Sequence, residues 1–102
     1  MAHTRMNNTA VRKQQIIDAG LELAAEIGFA AVNRAKIAAK VNLAEGTVSH
    51  RLGTMAQVRR SIMRAAIKNN VFVVIAQGLA LNDPTAVKAP AEVRKRALAA
   101  LL

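Results

Sequence analysis

The chain has 102 residues, a length that fits one domain, and 53% of them are apolar, too many for a disordered tail. The net charge of +9, from 15 basic and 6 acidic side chains, suits a polyanionic partner, either nucleic acid or an anionic membrane. The absence of cysteine excludes disulfides and thiolate metal sites.

Much of the apolar fraction is alanine, which favours helix but buries little area, and only Phe29 and Phe72 are aromatic. Such a chain builds a thin core and is expected to need a partner surface, most simply a second copy of itself. The opening MAHTRMNNTA holds no apolar signal core. The longest apolar run, Val71 to Ala76 and on past Gln77 to Leu81, is well short of the roughly 20 residues that cross a membrane.

In chain order, residues 1–9 read as a flexible arm, with Asn8 or Thr9 placed to cap the first helix. From Ala10 to Ile27, the positions Ile16, Ile17, Gly20, Leu21, Ala24 and Ile27 recur at three- and four-residue steps and form one helical stripe. Gly28 suits the left-handed residue that closes such a helix. Asn33 is placed to cap a short second helix over about Arg34 to Val41, with Ile37 and Ala38 inward. Val41-Asn42-Leu43 reads as a tight turn, because asparagine tolerates positive φ.

A third short helix runs from about Glu45 to Leu52. Gly53 and Thr54 end it and can cap a fourth. The spacing predicts that fourth helix as long, about Met55 to Leu81. Its first half is basic, with Arg59, Arg60, Arg64 and Lys68, and its second half, VFVVIAQGLAL, is apolar nearly all round. A helix of that kind must be buried. The surface that buries it is read as a second subunit, the alternative being the core of the monomer. Asn82-Asp83-Pro84 breaks the helix. Ala89-Pro90 then opens a last helix with Pro90 in its first turn. Val93, Ala97, Leu98 and Leu101 share one side of it, and Arg94, Lys95 and Arg96 face water.

Two short helices joined near Asn42 make a helix-turn-helix candidate. In such a unit the second helix projects so that its first turns reach base edges in the major groove, while its neighbours hold it and touch phosphates. Residues Arg12 to Val58 also resemble the DNA-binding domain of the TetR family of regulators. RKQQIIDAGLELAAEIGF is similar to that family's first helix, with Ile16, Ile17, Ala19, Leu21 and Leu23 at its apolar places. Gly28-Phe29 stands at its glycine-aromatic pair, Ile37-Ala38 at the isoleucine-alanine of its second helix, and Leu43 at the usual valine of the turn. Glu45-Gly46-Thr47-Val48 matches the x-Gly-Thr-Leu start of its recognition helix, and His50 sits where the family often has histidine. The register holds without a gap over a little under half the chain. With the periodicity above, it implies an all-α fold: a three-helix TetR/homeodomain-like helix-turn-helix bundle, then a long fourth helix and a short C-terminal helix.

Departures from the family pattern concentrate at contact positions. Val32-Asn33 replaces two threonines, Asn42 the turn glycine, Ala44 a serine, Ser49 a tyrosine, Arg51-Leu52 an aromatic-ended pair, and Met55 a phosphate-touching lysine. The resemblance therefore implies the same scaffold with a different operator, the alternative being a degenerate module that no longer reads DNA.

Candidate DNA-contacting residues are Asn33, Arg34, Lys36, Lys40, Glu45, Gly46, Thr47, Ser49, His50 and Arg51. Asn33, Arg34, Lys36 and Lys40 are phosphate candidates. Gly46 either lets the backbone approach DNA or packs tightly against the second helix. Thr47 can bond a phosphate or touch a thymine methyl, or bond locally to the preceding turn. Ser49 and His50 are base or phosphate candidates. Arg51 can reach guanine, phosphate or only solvent. Glu45 either accepts from cytosine or, the favoured reading, stabilises the positive end of its helix. From Ile27 to Lys68 there are eight basic residues and one acidic residue, a balance that favours a nucleic-acid partner over a merely solvated basic surface.

A TetR-type regulator continues into a larger ligand-binding domain, whereas about 44 residues follow Val58 here. No small-molecule ligand and no inducer response are therefore expected. His3 and His50 are the only histidines, and no phosphate loop or paired-carboxylate motif appears, so no enzyme activity, cofactor or metal is expected. The expected organisation is an arm at 1–9, the helix-turn-helix domain at 10–58 and a dimerisation tail at 59–102. Val71, Phe72, Val74, Ile75, Leu79, Leu98 and Leu101 are read as the dimer interface. The expected partners are double-stranded DNA and a second copy of the chain, in the cytoplasm and off the membrane. The expected function is a dimeric repressor at a palindromic operator, and the small size would suit a phage or plasmid gene. The alternatives are an accessory architectural factor of excisionase type and a protein-interaction module acting through residues 71–81.

Overall fold

In the computed structural model, which describes residues 8–101, the described residues form six α-helices and no strand. They are α1 (Asn8–Ile27), α2 (Arg34–Val41), α3 (Glu45–Leu52), α4 (Met55–Lys68), α5 (Phe72–Ala80) and α6 (Ala91–Ala99), with 3-10 turns at Phe29–Ala31 and Ala86–Lys88. Of the arm expected over 1–9, residues 1–7 lie outside the described residues. Helix α1 already includes Asn8 and Thr9, the two residues expected to cap it.

Local chemistry sets the helix ends. Asn33 caps α2 by accepting from the Lys36 N–H at 2.8 Å. Thr54 caps α4 in a reciprocal box: Thr54 Oγ1 accepts from Gln57 N–H at 3.2 Å, and Gln57 Oε1 accepts from Thr54 N–H at 2.8 Å. Three helices end on one device, an asparagine in the left-handed conformation: Asn42 (φ 57), Asn70 (φ 56) and Asn82 (φ 58). At each, the following N–H reaches back to a carbonyl in the last turn of the helix. The bonds are Leu43 to Ala38 at 2.9 Å, Val71 to Ala66 at 2.9 Å and Asp83 to Gly78 at 2.8 Å.

The second of these stops corrects the long helix expected over Met55 to Leu81. It is two helices, α4 and α5, divided at Asn69-Asn70. Asn69 Nδ2 donates to the Ala65 carbonyl at 2.9 Å, and Asn70 turns the chain. The break folds the apolar segment back, and α5 packs on α1, α4 and α6.

The core is continuous from α1 to α6. Ile16, Ile37, Val48, Val58, Ile62, Met63, Val74 and Ile75 are fully buried in one cluster. A Cβ on Gly20 would lie 2.9 Å from Ile62 Cδ1 and 3.3 Å from Ile37 Cδ1, so this glycine lets α1, α2 and α4 close together. Gly78 allows a like approach, since a Cβ there would meet Met63 Cε and lie 3.0 Å from Ala86 Cβ. Ile27, read as part of the inward stripe of α1, is 44% exposed, because Gly28 turns the chain immediately after it.

The burial of α5 also corrects part of the expected interface. Val74 and Ile75 are 0% exposed inside a single chain, and Val71, Phe72 and Leu79 are partly buried against the same core. Leu98 and Leu101 remain 54% and 57% exposed. In α6, Pro90 is the cap residue rather than part of the first turn, and Ala97 is buried while Val93 packs partly against the core.

Two substitutions test these assignments by urea unfolding. Asn70→Ala lowers stability by about 1 kcal/mol whereas Asn70→Gly does not, because only glycine enters the left-handed region without cost. Ile75→Val costs about 1 kcal/mol at every protein concentration, as a core residue should. A cost that appears only at concentrations where copies associate would return Ile75 to a subunit interface.

Candidate nucleic-acid interface

Helix α3 is fixed from below. Val48 and Leu52, one turn apart, are 0% and 5% exposed and point into the core. The Asn42 turn sets the angle between α2 and α3, and Arg34 Nη1 donates to the Gly53 carbonyl at 3.2 Å, tying the start of α2 to the end of α3. Gly53 has φ 86, and a Cβ there would run into the Gln57 side chain that completes the α4 cap.

At about 100° per residue, the direction opposite Val48 and Leu52 is held by Gly46 and His50, with Thr47 and Ser49 on the two flanks. Gly46 and His50 are exposed, and Thr47 and Ser49 are half-buried. A Cβ on Gly46 would meet nothing within 4 Å, so the reading in which Gly46 packs against α2 does not hold. Among the described residues, no side-chain hydrogen bond engages Thr47, Ser49 or His50, so the Thr47 hydroxyl does not form the bond to the preceding turn considered for it.

The helix starts at Ala44, which has no side chain to cap it, and Glu45 lies exposed in the first turn. That is the position at which a carboxylate stabilises the positive helix end. Arg51, in the last turn, is half-buried, and its Nε is closed off from solvent without a hydrogen-bond partner.

The four candidates around α2 have other occupations. Asn33 Oδ1 holds the cap, and Arg34 reaches Gly53. Lys36 Nζ donates to the Ala31 carbonyl at 3.0 Å. Lys40 Nζ lies 3.4 Å from Glu22 and 3.3 Å from Glu26, which clamps α2 to α1. The hydrogen bond to Glu26, with help from Glu22 and against partial desolvation, holds the Lys40 ammonium above its ordinary pKa of 10.5. Its contribution to the fold is therefore complete below that pH and is lost as pH rises through the raised value. The structure thus gathers Glu45, Gly46, Thr47, Ser49 and His50 on an open helix and engages Asn33, Arg34, Lys36 and Lys40 within the chain.

Sequence reasoning missed a brace between the tail and this domain. Gln77 Oε1, on α5, accepts from the Phe29 N–H at 2.7 Å, across 48 residues of sequence. The only signal for it was a lone glutamine inside an apolar run.

No group of three or more potential metal ligands occurs among the described residues, and no helix there is long and apolar enough to cross a membrane. Residues 16–62 match the family model described as bacterial regulatory proteins, tetR family. The matched stretch runs from Ile16 in α1 to Ile62 in α4, so it takes in both helices of the helix-turn-helix and the close approach at Gly20. No curated protein and no solved structure matches the chain. Residues 16–62, a little under half of the chain, thus match a TetR-type helix-turn-helix DNA-binding domain, the DNA-binding part of a family of transcription regulators.

Proposed function

We propose that the chain is a dimeric, sequence-specific repressor that reads a palindromic operator with α3, acts in the cytoplasm and carries no enzyme activity. The observation that carries this reading is the outer face of α3. Gly46 opens onto empty space, and Thr47, Ser49 and His50 beside it have no side-chain hydrogen bond among the described residues. Polar groups in that condition suit base edges and phosphates.

Residues 59–102 are read as the dimerisation tail. Its partner surface is assigned to the apolar side chains left outside, Val73 (42% exposed), Leu81 (56%), Leu98 and Leu101, rather than to Val74 and Ile75. Two α3 helices related by a two-fold axis require half-sites about one DNA turn apart, or a multiple of it. No inducer pocket is assigned to the tail: the inner side of α5 is filled by Val74, Ile75, Ala76 and Gly78, all buried.

Selection of bound sequences from a random DNA pool at fixed salt tests the reading, with a palindromic consensus expected. Binding without a consensus would replace it by an architectural, excisionase-like role, and no binding would sink both. Gly46→Ala separates contact from folding. Stability holds or rises by up to about 1 kcal/mol, since alanine is the better helix former, while operator affinity falls about tenfold, the equivalent of about 1.4 kcal/mol. Unchanged affinity would remove α3 from the interface. Leu98→Glu with Leu101→Glu leaves the unfolding midpoint of the monomer unchanged but abolishes the dimer in sedimentation. Persistence of the dimer would place its interface elsewhere.

A further inference from the structure

We infer that a second face of the chain, separate from α3, binds the phosphodiester backbone of nucleic acid. This rests on the reading of the chain as a DNA-binding regulator and extends it to a surface outside the reading helix.

Arg60, Arg64 and Lys68 follow one another at four-residue steps along α4, about 6 Å apart along its axis. Arg64 is part of the wall of two clefts. One, of about 420 Å³ between α1 and α4, also takes Lys13 and Lys68. The other, of about 470 Å³ between α4 and the segment that follows α5, also takes Arg60 and Lys88. The two clefts meet at Arg64, and five cations from three parts of the chain line them.

All five side chains are exposed, and among the described residues none has a carboxylate within ion-pair distance. Elsewhere on the surface the pattern differs, since Lys40 is paired with Glu22 and Glu26, and Arg96 lies 3.6 Å from Glu92. The one acid in the clefts, Asp18, accepts from Gln14 Nε2 at 2.8 Å.

Like charges four residues apart repel along a helix and weaken it. Arg60 with Arg64 and Arg64 with Lys68 are two such pairs in succession, and no partner within the described chain relieves them. A polyanion laid along α4 would. The cations are strung out along the helix rather than gathered on one point, which matches charge spaced along a strand rather than a compact anion. Nucleic-acid backbone supplies charge at that kind of spacing, and binding to it releases counterions.

The test uses the full chain and the triple variant Arg60→Gln, Arg64→Gln, Lys68→Gln, with folding checked by thermal melting. Affinity for a random-sequence duplex is measured across a salt series. The triple variant is expected to lose at least tenfold in affinity and to shed about 2 to 3 from the slope of log affinity against log salt, while the sequences it selects stay the same as those of the native chain. Lys13→Gln with Lys88→Gln, on other elements, should move both quantities the same way by a smaller amount. Slopes and affinities equal to those of the native chain in both variants overturn the proposal.

The Gly46→Ala chain distinguishes this failure from failure of the α3 reading, because it should lose operator affinity and keep the full salt slope. Two further probes are tripolyphosphate and anionic phospholipid vesicles. If either binds the native chain more tightly than duplex does, and binds the triple variant weakly, the trough belongs to that ligand and the proposal falls. A native chain that binds no duplex at all ends both readings.

Discussion

The close approach of three helices at Gly20 sets the position of α3. Ile62 from α4 and Ile37 from α2 come to rest where a side chain on α1 would otherwise stand. Both are fully buried, so a side chain there would have to displace packed side-chain atoms. Because α2 is seated by this contact, and α3 is seated on α2 through Val48, Leu52 and the Asn42 turn, the direction in which α3 points depends on it. The bond from Arg34 to the Gly53 carbonyl then ties α2 to the end of α3, and the exposed Lys40 ion pairs link α2 to α1.

Features governed by neighbours along the chain are legible in the sequence. Asn33 and Thr54 cap because their side chains reach N–H groups three residues on, and Asn42 turns because its own backbone allows it. Ile37 and Ala38 are inward because helical period and family resemblance agree. The division of α4 from α5 is not legible in this way, because Lys68-Asn69-Asn70 is only mildly unfavourable within a helix. What decides it is the left-handed stop at Asn70, supported by the packing of α5 back onto α1 and α4.

The site is legible in residue type more than in use. Arg34, Lys36 and Lys40 are identifiable as cations on the helix before α3. The Gly53 carbonyl that occupies Arg34 lies 19 residues away, however, and the Glu22 and Glu26 carboxylates sit on another helix. Such partners meet only once the fold exists. The emptiness around Gly46 is likewise a property of the assembled surface. The apolar run of α5 shows the need for burial but not what buries it, and the chain satisfies most of that need internally through Val74, Ile75 and Ala76.

The bond from the Phe29 N–H to Gln77 gives α5 a mechanical connection to the helix-turn-helix. Phe29 begins the turn that leads from α1 into α2, and its N–H is held by a side chain on α5. A displacement of α5 that breaks this bond loosens the segment from which α2 and α3 are suspended. A hydrogen bond of this kind contributes about 1 kcal/mol, enough to shift a conformational equilibrium about fivefold. That sets the scale of the link: its loss would shift the balance between arrangements of α5 and the α1–α2 turn severalfold, and no further.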